Sequence, residues 1–106
     1  MFFSSTPSVS VSQALQGVQA PNTAFIDVRT RDEYREGHAQ GAKNVPLDSL
    51  NDSDIERFKG YDAVYVICRS GGRSAAATKA LISGGVHAIN VSGGTLAWHA
   101  HGLPMA

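Results

Sequence analysis

Five short apolar runs of strand character alternate with five short helical stretches along this chain, and that alternation constrains its fold more than any other feature. The runs are residues 8–12, where Val9 and Val11 alternate with serines; 25–29, Phe-Ile-Asp-Val-Arg; 42–46, demoted to an edge by Pro46; 64–67, Val-Tyr-Val-Ile; and 86–91, Val-His-Ala-Ile-Asn-Val. The helical stretches are 13–18, capped near Ser12; a short helix from Thr30, whose hydroxyl forms a capping box with Glu33, to a stop at Gly37; 54–58, capped by Asp52 or Ser53 and stopped by Gly60; 74–82; and a last helix capped by Thr95. Connections this short favour right-handed crossovers onto parallel strands. The expectation is a compact three-layer α/β domain with a mostly parallel, about five-stranded central sheet flanked by helices on both faces. Ligands bind such sheets beyond the carboxyl ends of the strands, where Asp27, Cys68 and Ser92 fall.

Length and charge narrow the classes of function. At 106 residues, 42% hydrophobic and 17% charged, the chain makes one folded domain over residues 1–106, with 1–7 as a loose tail. Nine basic residues balance nine acidic ones, so nothing in the net charge calls for nucleic acid or a membrane surface. The N-terminus lacks a basic stretch followed by a sustained apolar one, and no run approaches membrane-spanning length, so the expected compartment is the cytoplasm. The expected oligomeric state is a monomer or weak dimer. A single cysteine makes neither an internal disulfide nor a cysteine-rich metal site, and no cofactor or metal is expected.

That cysteine ends the 64–67 strand. Arg69-Ser70-Gly71-Gly72-Arg73-Ser74 follow it and lead into a helix. Two glycines let successive backbone N–H groups turn inward on one anionic atom, and a helix N-terminus and two guanidinium groups add to the same field. An exposed thiol there is held towards thiolate, which makes Cys68 a candidate catalytic nucleophile. Arg69 and Arg73 suit an oxyanion, with a solvated position and an ion pair at the helix start as their respective alternatives.

The remaining polar residues read more plainly. Asp27 beside Arg29 reads as a hydrogen-bonding brace rather than a general base. His38 bonds backbone locally, and His87 is a partly exposed sheet residue. His99 and His101 point to different faces of the last helix, against a metal site with Cys68. Trp98 with Leu96 packs that helix on the sheet. The acids between 48 and 56 form a solvated face, or else a docking patch for a basic partner.

Several motifs in order carry a resemblance. Asp27-Val28-Arg29 with Glu33-Tyr34 and Gly37-His38-Ala39-Gln40-Gly41-Ala42 resembles the first signature of the rhodanese (sulfurtransferase) homology domain. The segment from Cys68 to Ser74 resembles its active-site loop, and Gly93-Gly94, Trp98 and Gly102-Leu103-Pro104 resemble its C-terminal signature. The resemblance spans the chain from about Val9 onward.

It implies a single-domain sulfurtransferase in which Cys68 takes a sulfane sulfur from a small anionic donor such as thiosulfate, becomes a persulfide, and passes the sulfur to cyanide, a thiol or an acceptor protein. The amides from Arg69 to Arg73 would cradle that sulfur, with Ser74 beside them. With no second cysteine, turnover needs an outside acceptor. Four residues separate Cys68 from Arg73, one fewer than in the related phosphatases and arsenate reductases, so a phosphatase is the lesser alternative; a noncatalytic binding module is another. Ala39-Gln40 stand where the family commonly has Ile-Pro, which is expected to loosen a surface turn.

Overall fold

The computed structural model describes residues 6–106. Five strands, β1 (Ser8–Val9), β2 (Thr23–Asp27), β3 (Lys43–Asn44), β4 (Ala63–Ile67) and β5 (Ala88–Val91), form one sheet in the order β1-β5-β4-β2-β3, and every pair is parallel. Helices α1 (Val11–Gly17), α2 (Arg31–Glu36), α3 (Asp52–Phe58), α4 (Gly72–Ser83) and α5 (Gly94–Ala100) connect and flank it. Of the tail expected over 1–7, residues 1–5 lie outside the described residues; the Pro7 carbonyl accepts from the Asn90 N–H at 2.8 Å.

The two-residue period of the strands divides the core into two halves. Ile26, Val64, Val66 and Ala88 face Phe58, Ala77 and Leu81 of α3 and α4. Phe25, Ile67 and Val91 face Val11, Ala14 and Trp98 of α1 and α5. The sheet is therefore apolar on both faces, as parallel strands covered by helices must be. Truncating a side chain as enclosed as Leu81 to alanine costs about 2–5 kcal/mol at such a site.

Several boundaries move from those expected. α1 begins two residues early, because Ser10 rather than Ser12 is the N-cap: its hydroxyl accepts from the Gln13 N–H and the Gln13 side chain returns the bond. Val11 consequently lies in the helix. α3 is capped by Asn51, in a box with Asp54, and not by Asp52 or Ser53. α5 starts from Gly93, in a left-handed conformation at φ 82°, and not from a Thr95 cap. The box between Thr30 and Glu33 forms as expected and Gly37 closes α2.

The Gly-His turn is not loose. Ala39 is fully buried and pairs antiparallel with Met105, while His38 exchanges backbone bonds with Ala106 and the Gln40 N–H donates to the Pro104 carbonyl. Trp98 Nε1 donates to that same carbonyl at 2.7 Å, so the C-terminal segment ties α5 to the turn after α2. A residue as small as alanine lets the two backbones close. His38 stacks on Tyr34 with ring centroids 3.7 Å apart and bonds the Tyr34 carbonyl through Nδ1. Leu96, expected to help Trp98 pack the helix, is instead 49% exposed; Trp98 packs alone against Phe25.

Candidate active site

Cys68 is the residue after β4, at the carboxyl end of a central strand. Its Sγ accepts from the Gly71 N–H at 3.1 Å and the Ser74 hydroxyl at 3.3 Å. Gly71 reaches inward because its backbone is left-handed, at φ 115°, where a side chain would be strained. Ser74 lies in the first turn of α4, fully buried, and its hydroxyl also lies 3.2 Å from the Gly71 carbonyl.

The carbonyls of the same loop point the other way. Cys68 O accepts from the Thr95 N–H at 2.8 Å and the Thr95 hydroxyl at 2.9 Å, and Arg69 O accepts from the Leu96 N–H at 3.0 Å. The first turn of α5 thus takes up the oxygens and leaves the N–H groups for the sulfur. Gly94 makes the contact close: a Cβ there would lie 2.5 Å from the Arg69 oxygen. Thr95, expected as a cap, is instead the residue that anchors the Cys68 carbonyl.

Burial alone pushes the Cys68 thiol up. The Ser74 hydroxyl and the backbone N–H groups of Ser74, Gly71 and Ser70 act against it, and the balance leaves the thiol below its ordinary range. Thiolate character is therefore built by hydrogen bonds to the sulfur. The thiol is not exposed as expected, since only 1% of the residue is accessible.

Around the loop stand two ion pairs. Asp27 is buried and grips Arg29 through Oδ1 and Oδ2, with Nη2 to Oδ2 at 2.8 Å; Arg29 Nη2 goes on to the Gly37 carbonyl at 2.7 Å. Arg73 forms a two-pronged pair with Glu33, which raises the guanidinium and holds the Glu33 carboxyl down at about 2. The arginine expected for an oxyanion thus has its terminal nitrogens on a carboxylate, while Arg69 and Ser70 are exposed at the mouth. Arg29, Glu33, Glu36, Arg69, Leu96 and Met105 line part of a cleft of about 350 Å³ next to the loop.

Of the other candidates, His99 lines the same cleft as Arg69, and the rest lie apart. His87 is exposed and bonds the Asp62 carbonyl, and His101 bonds the Ala97 carbonyl. Among the described residues no three His, Cys, Asp or Glu side chains are placed to share a metal ion. Asp48, Asp52 and Glu56 are exposed, whereas Asp54 is half-buried and paired with Arg57. No helix among the described residues is long and apolar enough to cross a membrane.

Residues 10–101 match the family model of the Rhodanese-like domain. The chain is 37% identical to thiosulfate sulfurtransferase 18 of Arabidopsis thaliana, over 92% of this chain and 82% of the relative, and 34% identical to a sulfurtransferase of Allochromatium vinosum, over 92% and 90%. A chloroplastic thiosulfate sulfurtransferase of Arabidopsis thaliana, number 16, is also 37% identical, over 92% and 90%. Among solved structures, a rhodanese-related protein from Thermoplasma volcanium superimposes with a TM-score of 0.84 at 26% identity, covering 94% of this chain and 97% of its own.

Proposed function

The chain belongs to the rhodanese-like domain family, and from that premise we propose that it is a sulfurtransferase that carries sulfane sulfur as a persulfide on Cys68. The carrying observation is the pair of hydrogen bonds to Sγ, from the Gly71 N–H and the Ser74 hydroxyl. With thiosulfate as donor, the Cys68 thiolate attacks the outer sulfur; the new S–S bond forms as the old one breaks and sulfite leaves with the electron pair. Cyanide or a thiolate then attacks the outer sulfur of the persulfide, leaving as thiocyanate or a new persulfide and returning the Cys68 thiolate. Both steps return negative charge to sulfur within the same cradle, where donors fixed in advance need no rearrangement.

In this reading the amides from Arg69 to Arg73 hold the transferred sulfur, and Ser74 holds Sγ. Asp27 and Arg29 brace the neighbouring turn without touching substrate. Arg73 contributes by anchoring the loop to Glu33, and Arg69 meets the anionic donor at the mouth. The acceptor is an external thiol or a sulfur-acceptor protein, and a thiol that must stay reduced suits a reducing compartment such as the cytoplasm. The chain acts as a single domain, as a monomer or weak dimer.

Mass spectrometry of protein incubated with thiosulfate is expected to show one added sulfur on the Cys68 peptide, removed by cyanide. Equal cyanolysis by wild type and Cys68→Ala would sink the proposal. The near-complete burial of Cys68 favours one second reading, a noncatalytic binding module. That reading predicts no added sulfur at any thiosulfate concentration, together with an unreactive thiol.

A further inference from the structure

We propose that the cleft between α2 and the segment following β3 is a separate binding site for a phosphorylated small molecule, with Arg31 and Arg35 as its cationic wall. The cleft has a volume of about 560 Å³ and is lined by Arg31, Tyr34, Arg35, Asn44, Pro46 and Ser49. It opens on the carboxyl-end rim of the sheet, where folds of this kind hold their ligands, but on the opposite side of α2 from the cleft beside Cys68.

Its charge is one-sided. Arg31 and Arg35 stand one turn apart on α2, a spacing at which like charges repel. Among the described residues neither has a carboxylate within ion-pair distance, whereas Arg29, Arg57, Lys59 and Arg73 each have one. No acidic residue lines the cleft; the acid of this helix that forms an ion pair, Glu33, is turned away to Arg73. Each of two adjacent guanidinium forks can take a pair of phosphate oxygens.

The opposite wall is built and fixed. Asn44 Nδ2 donates to both the Asp27 and the Arg29 carbonyls at 3.1 Å, which sets the carboxamide in one orientation. Ser49 brings a hydroxyl that donates to the Pro46 carbonyl and is free to accept. On the arginine side, the Tyr34 hydroxyl is held by the Ala42 carbonyl, so its ring is fixed between the two arginines of α2. A space of this volume exceeds one oxyanion and suits a phosphate carried on a larger body.

The probe is pyrophosphate, titrated into the full chain at moderate salt and followed by calorimetry and amide chemical shifts. Wild type and Cys68→Ala are expected to bind it saturably and equally. Arg31→Gln/Arg35→Gln should weaken binding at least about tenfold, the scale of one or two lost charge-assisted hydrogen bonds. Lys59→Gln/Lys79→Gln removes as much charge from α3's end and α4, neither residue lining the cleft, and should change the affinity less than about twofold, since exposed charges away from a site are largely screened. Absence of saturable binding in wild type, or equal weakening in the two double variants, overturns the proposal. Neither pair of substitutions touches the Cys68 loop, so thiosulfate cyanolysis should be unchanged in both.

Discussion

Glu33 and Arg73, forty positions apart, meet in a two-pronged ion pair, Nη1 to Oε1 at 2.6 Å and Nη2 to Oε2 at 2.8 Å. Each is also fixed from its own side: Glu33 is half of the capping box of α2, and Arg73 lies in the first turn of α4. The pair therefore pins the helix after β2 to the one that follows the Cys68 loop.

The first expectation concerns acid. Glu33 titrates at about 2 in the fold against an ordinary 4.5, first because of Arg73 and against the cost of its burial. A depressed carboxylate contributes stability above its unfolded pKa and loses it as pH falls through the folded one. Glu33→Gln should therefore lower the Tm at pH 7 by about 4–8 °C, the shift that roughly 1 kcal/mol makes in a domain of this size. That difference should shrink between pH 4.5 and about 2, the window set by the same two values. Thermal scans across that range check it; a gap that stays constant would remove the ion pair as its cause.

Ser74→Ala tests the thiolate. The hydroxyl is the foremost group acting against the burial of Cys68, so its loss should raise the thiol towards its ordinary range. Alkylation by iodoacetamide at pH 7 should slow by about tenfold, near the lower end of the worth of a hydrogen bond to a charged acceptor. The rates should converge above the thiol pKa of both proteins. Ser74→Thr, which keeps the hydroxyl, should restore the low-pH rate.

Gly94→Ala tests how the loop carbonyls are held. The new methyl would meet the Arg69 carbonyl at 2.5 Å and sit at φ 59°, so α5 or the loop must move. Strain of this kind costs on the order of 1–3 kcal/mol, and sulfur transfer should fall by at least about tenfold as the cradle shifts. Gly102→Ala is the comparison: its φ is also positive, at 67°, but no atom lies within 4 Å of the added Cβ. Stability should fall there while transfer stays near wild type.

Asp27→Asn leaves the buried Arg29 guanidinium without its carboxylate. Breaking a buried pair on one side costs about 3–5 kcal/mol, and denaturant unfolding should show a loss of that order. Asp27→Asn/Arg29→Met removes both charges and should recover part of it. If the double variant is no more stable than the single, the pair does not act as a unit.

Local chemistry carried much of this in the sequence. The alternation of runs gives the parallel sheet, and Thr30 with Glu33 marks a helix start through side chains three residues apart. The same signal is present in Ser10 with Gln13 and in Asn51 with Asp54; Ser12 and Asp52 compete with it only as isolated cap formers, whereas Ser53 with Glu56 offers the same spacing, so the start of α3 is not decided by this signal alone. What stayed hidden was set by distant partners. The start of α5 depends on left-handed glycines and on carbonyls from the loop after β4. Ala39 is buried by a segment that follows Trp98. Arg73 offers the same fork to a carboxylate or an oxyanion, and only the placement of Glu33 selects between them. The burial of Cys68 is likewise a tertiary outcome, since its side chain joins the half of the core that packs against α4.

The hold of Thr95 and Leu96 on the carbonyls of Cys68 and Arg69 also sets an order of events in synthesis. The half of the cradle that orients the loop is translated more than twenty-five residues after the cysteine it serves, a separation of 27 between Thr95 and Cys68. A nascent chain that has emerged only through β4 and α4 already carries the donors to Sγ, Gly71 and Ser74, but lacks the residues that fix the loop's carbonyls. The loop therefore reaches its final geometry only when α5 docks, with the completion of the fold rather than with the arrival of its cysteine.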